Sequence, residues 1–268
     1  MKKHMMKKTL VVAAIAAMTM SAGAANAGMT NAASGDSSLI LTLLDNTNNI
    51  SATFDLGLNY STLPTAASQV WNLAASADYS TAWTSFLSVA NLTGSKWAVY
   101  AGDNVGSGAG SRGLVTTYAS GTGMTQSQLS TAMGTAAMDG YINANNPLGT
   151  HPAALNGASP AISGAAFAES AAYGTGSKIN NQGGIIVMKG LDQSMDVVKL
   201  AFVGTNNLAQ VSFTTLGNAY GNSTFNMSSN GVLSYNVAAA PVPEADTWAL
   251  LLAGIGMMGF MVRRRTSV

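Results

Sequence analysis

The sequence predicts a mainly β protein: an antiparallel, sandwich-like domain with helical inserts, followed by a C-terminal transmembrane helix. Three observations carry that prediction. Residues 39–60 and 196–237 show strand-period alternation broken by turn formers. Between them the apolar spacing changes to that of helices. At the C-terminal end one apolar run, 248–262, is followed by Arg263, Arg264 and Arg265.

The N-terminal segment comes first. Lys2, Lys3, Lys7 and Lys8 precede an apolar run over 10–20, and small residues then lead to Ala25-Asn26-Ala27. This is the pattern of a secretory signal over 1–27, with Ala25 and Ala27 forming the A-x-A site that signal peptidase accepts and Gly28 as the new N-terminus. The run is too short to span a bilayer stably, which disfavours the alternative of a retained anchor.

The exported domain is expected over 28–237. Residues 39–44 form a continuous apolar strand. In 50–60, Ile50, Ala52, Phe54, Leu56 and Leu58 alternate with Ser51, Thr53, Asp55, Gly57 and Asn59, predicting a strand with one buried face. The turn-rich link 45–49 makes the two a hairpin. Helical inserts are expected around 70–90, where Trp83, Phe86, Leu87 and Ala90 share a face, and around 125–142, where Leu129, Met133, Ala136, Ala137 and Tyr141 do. Strands are expected at 96–101 and 113–118. Residues 143–184 are rich in Gly, Ala, Ser and Pro without a sustained period, and read as a long surface loop. Strands at 196–203, 209–216, 223–228 and 232–237 complete a meander, the last pair joined at Asn230-Gly231, a strong hairpin signal.

Composition narrows the function. Only 9% of the 268 residues are charged, and Cys is absent. A nucleic-acid binder needs a basic stripe, so no nucleic-acid partner is expected. Thiol chemistry and Cys-based metal sites are excluded. The net charge of +1 conceals an asymmetry: the basic residues crowd the two ends, while the body has five basic against nine acidic residues.

Candidate chemistry in the body is sparse. His151 is its only histidine, without an identifiable nucleophile or orienting acid beside it in sequence. Gly108, Gly110 and Gly113 formally match G-x-G-x-x-G, but 114–118 reads as strand where a nucleotide loop needs a helix. Asp192 and Asp196, and Asp45 and Asp103 in turns, lack the spacing of a calcium loop. Glu169 is the body's one Glu, so no carboxylate pair for glycoside hydrolysis is favoured. Trp71, Trp83 and Trp97 read as core residues before they read as sugar-stacking platforms. No catalytic, metal or cofactor-binding residues are assigned, and no cofactor is expected.

After a linker at 238–242, Pro243, Glu244 and Ala245 precede an apolar helix over 248–262 that opens with Trp248 and contains Gly254, Gly256 and Gly259. The basic end 263–265 follows. Fifteen apolar residues give about 22 Å of helix, short of a ~30 Å hydrocarbon core, so the span relies on snorkelling Arg and an interfacial Trp. The prolines hold an extended segment before the helix, open to a protease, and the glycines let a partner approach closely. By the positive-inside rule the Arg cluster stays cytoplasmic and the body lies outside.

This tail resembles that of PEP-CTERM proteins of Gram-negative bacteria, with motif, helix and basic end in order; Ala245 stands where the commonest motif has Pro. The resemblance implies sorting by exosortase, a membrane cysteine protease, through a single-pass intermediate in the inner membrane. Release to the cell surface or extracellular matrix would follow, with exopolysaccharide and biofilm as the associated setting. The expectation is therefore a secreted, non-enzymatic surface or matrix protein. Its alternatives are a secreted hydrolase on the same tail, or a sugar- or calcium-binding adhesive module.

Overall fold

The computed structural model describes residues 28–65, 67–106, 111–118, 135–168, 188–202, 211–240 and 245–265. The signal segment 1–27, Gly108 and Gly110, the first part of the expected 125–142 insert, Glu169, Pro243 and Glu244 lie outside them. The chain divides into two compact units at Val237/Ala238.

The first unit is built on β1 (Ser38–Asp45), β2 (Ile50–Asn59), β3 (Gln69–Asn72), helix α1 (Ser80–Leu87), β4 (Lys96–Asp103), β5 (Gly113–Tyr118) and helix α2 (Thr135–Asn145). It continues with β6 (Ala158–Ala161), β7 (Lys189–Gly190), β8 (Ser194–Phe202), β9 (Val211–Thr215), β10 (Gly217–Asn218), β11 (Gly221–Asn222), β12 (Thr224–Met227) and β13 (Val232–Asn236). Every pairing between these strands is antiparallel.

The expected sandwich is instead one continuous sheet, ordered β3-β13-β12-β8-β5-β4-β1-β2-β6, with β7 added to β4 and β9 to β8. The sheet curls until its ends meet: Trp71 on edge strand β3 donates its indole N–H to the Leu56 carbonyl of β2, 2.9 Å away. Accumulated strand twist makes such closure available to one wide sheet. Helix α1 is packed against β2 and β6, with Trp83 so close to Gly231 that a Cβ there would lie 2.8 Å from the indole. Gly231 has φ +82°, the left-handed turn conformation that the Asn230-Gly231 pair predicts.

Curling gives the sheet two buried faces. The concave face gathers Leu39, Leu41, Leu43, Phe54, Trp97, Val99, Val197, Phe225 and Tyr235 around Trp83 and Phe86 of α1. The convex face carries Ile40, Leu44, Tyr100, Leu114, Val198 and Leu200, covered by Met138, Tyr141 and Ile142 of α2 and by Ala166–Ala168. Strand β1 is buried at all eight residues because its alternating side chains feed both cores.

Three expectations need correction. Strand β2 has no solvated face over 50–56: Ser51, Thr53 and Asp55 are buried as fully as their apolar neighbours, because their polar atoms find partners, Thr53 with Tyr141, Ser51 with Ala168 N–H and Asp55 with Gly57 N–H and Ser38 Oγ. The insert around 70–90 begins as strand β3, and only 80–87 is helical. Within the expected loop at 143–184, β6 is a buried strand paired to β2. Pro160, lacking an N–H, is tolerated there because β6 is a sheet edge.

The second unit contains helix α3, Ala245–Arg265, 21 residues long. It starts before and ends after the expected 248–262 segment. Among the described residues no helix is long and apolar enough to cross a membrane.

Candidate functional site

Ala245 is the first residue of α3, so the motif adjoins the helix directly. Along the helix Leu250, Leu251, Leu252, Ile255, Met257, Met258, Phe260, Met261 and Val262 are each more than half exposed. Gly254, Gly256 and Gly259 have nothing within 4 Å of where a Cβ would sit. The Arg264 guanidinium lies 5.9 Å from the Phe260 ring one turn earlier, a contact that keeps the cation beside apolar surface.

In the body, the structure separates the candidate residues and gives most of them structural work. His151 is 1% exposed, and neither ring nitrogen has a hydrogen-bond partner among the described residues. Burial lowers its pKa to about 4, so the ring is neutral at pH 7. Asp45 caps the β1–β2 hairpin, accepting from the N–H groups of Thr47, Asn48 and Asn91 and from the Asn48 side chain. Desolvation alone would raise its pKa, but these bonds outweigh it and the net shift is downward. Asp103 accepts from Val105 N–H. Asp192, held at φ +62°, accepts from Ser229 N–H, while Asp196 takes the Asn222 amide.

The last glycine of the formal G-x-G-x-x-G, Gly113, opens strand β5 as expected. A side chain there would clash with Tyr60 Oη and the Leu200 carbonyl, so a close strand approach accounts for the glycine without any phosphate. Trp83 and Trp97 are buried, and Trp97 donates to Gly190 O at 3.0 Å; Trp71 is half-buried and packs on Phe225. Among the described residues no group of three His, Asp or Glu is placed to hold a metal ion.

Two features escaped the sequence reading. Asp55, 5% exposed, has its pKa raised to about 6 by burial, against bonds from Gly57 N–H and Ser38 Oγ. The second is a polar stripe on α2 and the residue after it. Asp139 accepts from Ala32 N–H at 2.7 Å and Ala33 N–H at 3.3 Å. Asn143 accepts from the Asn31 amide at 3.2 Å, and Asn146 donates to Met29 O at 2.9 Å. The expected insert stopped at 142, whereas α2 runs to Asn145, so the i, i+4, i+7 spacing that puts these on one face was hidden. So was their counterpart, the chain from Gly28 onward.

Exposed aromatic surface occurs at Phe213 in β9, edge-on to Tyr118 at 5.1 Å, and at Tyr220 in the β10–β11 turn. Ser212, Thr214, Thr215 and Asn218 are exposed around them.

Residues 241–265 match the PEP-CTERM protein-sorting motif. No curated protein and no solved structure matches the chain.

Proposed function

We propose that this chain, whose residues 241–265 match the PEP-CTERM protein-sorting motif, is sorted by exosortase toward the cell surface and that its exported body is a non-enzymatic surface or matrix component that contacts exopolysaccharide. The sorting tail is the observation that carries this reading. The condition of the body supports it: His151 is closed off from solvent, Asp45 is committed to hairpin donors, and Trp83 and Trp97 belong to the core. A surface poor in charge and rich in hydroxyls and amides suits neutral sugars. Phe213 and Tyr220 supply the faces on which sugar rings stack.

In the same reading α3 enters the inner membrane only transiently. Its apolar stretch of about 22 Å spans a ~30 Å core only with local thinning and with Arg263, Arg264 and Arg265 drawn up to the interface. A marginal anchor of this kind holds the motif at the membrane until the protease acts.

Deleting 248–268 and fractionating the cells tests the assignment. The truncated body is expected in the soluble exported fraction and absent from the surface; an unchanged surface location would overturn the sorting claim. Polysaccharide contact is tested separately. Phe213→Ser combined with Tyr220→Ser should reduce co-sedimentation of the purified body with the host's exopolysaccharide several-fold while lowering its Tm by no more than loss of the Phe213–Tyr118 contact accounts for, and equal co-sedimentation would remove that partner.

A further inference from the structure

The stripe Asp139–Asn143–Asn146 holds the segment 29–33 through the backbone of Met29, Ala32 and Ala33 and the side chain of Asn31, and its last member is left with an unused group. Asn146 spends its amide N–H on Met29 O, but its buried Oδ1 has no hydrogen-bond partner among the described residues. The Asn146 carboxamide lies beside Gly28: a Cβ built on Gly28 would lie 3.0 Å from Oδ1 and Cγ and 3.3 Å from Nδ2. Backbone bond lengths then place the Gly28 nitrogen no farther than about 5.5 Å from the oxygen. An orphaned buried acceptor is costly and calls for an explanation.

We infer that Asn146 Oδ1 is the receptor for the free α-ammonium that signal-peptide removal creates at Gly28. The inference rests on the reading of cleavage between Ala27 and Gly28. Hydrolysis adds water across that amide: the hydroxyl goes to the Ala27 carbonyl carbon, and the C–N bond breaks. The acid proton and the proton from water pass to the Gly28 nitrogen, leaving a carboxylate on the departing signal and an ammonium on the body. In the uncut chain the Gly28 N–H has one fixed direction and does not donate to this oxygen. After the cut the nitrogen has three protons, turns freely about N–Cα and is no longer held by Ala27, so the freed terminus can move its nitrogen to hydrogen-bond distance of Oδ1.

A second observation points to a cation at the same place. Asn146 follows the last residue of α2, and its N–H closes the final turn on Ile142 O at 2.9 Å. Gly28 therefore lies at the C-terminal end of an 11-residue helix, the end whose dipole favours positive charge. Met29 and Ala32, both 3% exposed, fix the segment in the convex core. Signal removal thus completes the fold: the body gains a bond that the precursor lacks.

The test uses protein exported and processed by its host, as wild type, Asn146→Ala and Asn146→Asp. N-terminal sequencing should give Gly28. A different start overturns the cleavage reading, and the docking with it, and is told apart from failed docking by the sequence itself. Acetylation at pH 6.5 modifies the α-amino group ahead of Lys, whose pKa is about 10.4. It should lower the wild-type Tm by about 2–4 °C, leave Asn146→Ala unchanged and lower Asn146→Asp further, since a carboxylate binds the ammonium more strongly. Equal responses in all three, or no response in wild type, would overturn the proposal. Should Asn146→Ala fail to fold, NMR titration of wild type decides: an α-amino pKa above the ordinary value of about 8 supports docking, and the ordinary value refutes it.

Discussion

The two units of this chain treat the same kind of side chain in opposite ways. In the body Leu39, Leu41 and Leu43 are fully buried, serving a sheet whose two faces are both covered. In the tail Leu250, Leu251 and Leu252 are 73%, 53% and 68% exposed, on a helix with no side chains of its own to cover them. Charge follows the same division: the body's scattered acids include Asp45, Asp55, Asp139 and Asp192, each engaged in hydrogen bonds, whereas the tail puts three arginines at one helix end. An apolar run left uncovered within its own unit and followed by cations is what the proposed sorting role calls for. In the proposed function the body persists in water and the tail addresses a membrane.

Paired substitutions break this comparison most directly. Trp97→Ala should cost the body about 3–5 kcal/mol, since it empties a fully buried site and strips the Gly190 carbonyl of its donor. Leu251→Ala should leave the body's Tm unchanged while reducing membrane association of the unprocessed chain. Calorimetry and fractionation of both variants are the check. A Tm loss from Leu251→Ala would mean that the tail belongs to the fold after all.

The next effect comes from two buried titratable groups, and their signs oppose. His151 has a folded pKa of about 4, below its ordinary 6.5, so its stabilising contribution is lost as pH falls through that interval. Asp55 has a folded pKa of about 6, above 3.8, so its contribution is greatest at low pH and falls as pH rises from 3.8 to 6. Each amounts to about 3 kcal/mol across its interval, and the two largely cancel. Wild-type stability should therefore vary little between pH 4 and 6.5. Asp55→Asn should make it rise with pH, and His151→Leu should make it fall. Urea denaturation at several pH values reads both slopes, and parallel profiles for the three proteins would refute the assignment.

A smaller effect is expected at Asp45. Asp45→Ala removes the acceptor for four donors at the hairpin and at Asn91, and should cost about 1–2 kcal/mol at pH 7. Its folded pKa is lowered, so the wild-type advantage is present above pH 3.8 and shrinks as the carboxylate protonates below it. A cost independent of pH would show that the turn does not use the charge.

Local signals read well wherever they were chemical rather than merely compositional. Asn230-Gly231, the 45–49 link and the apolar run at 39–44 became the turns and strand that their residues specify. Alternation misled at 50–60 because a polar side chain does not have to face water when another hydroxyl can satisfy it, as Tyr141 does for Thr53. Strand β6 was hidden because Ala158, Ser159, Pro160 and Ala161 carry no apolar period, and it is the ladder with β2 that makes them a strand. The curled closure through Trp71 and Leu56 is a property of accumulated twist that no sequence window contains. The tail was legible because its function resides in the order of its parts. The stripe on α2 was not, because its ligand is the chain's own segment more than a hundred residues earlier.

The measurement closest to the central claim is the intact mass of the protein recovered from the surface and medium of its native host. The expected chain begins at Gly28 and ends near Pro243-Glu244-Ala245, with any excess mass removable as glycan. A surface protein whose mass still includes 248–265 would contradict it, making the tail a permanent anchor rather than an address removed on delivery.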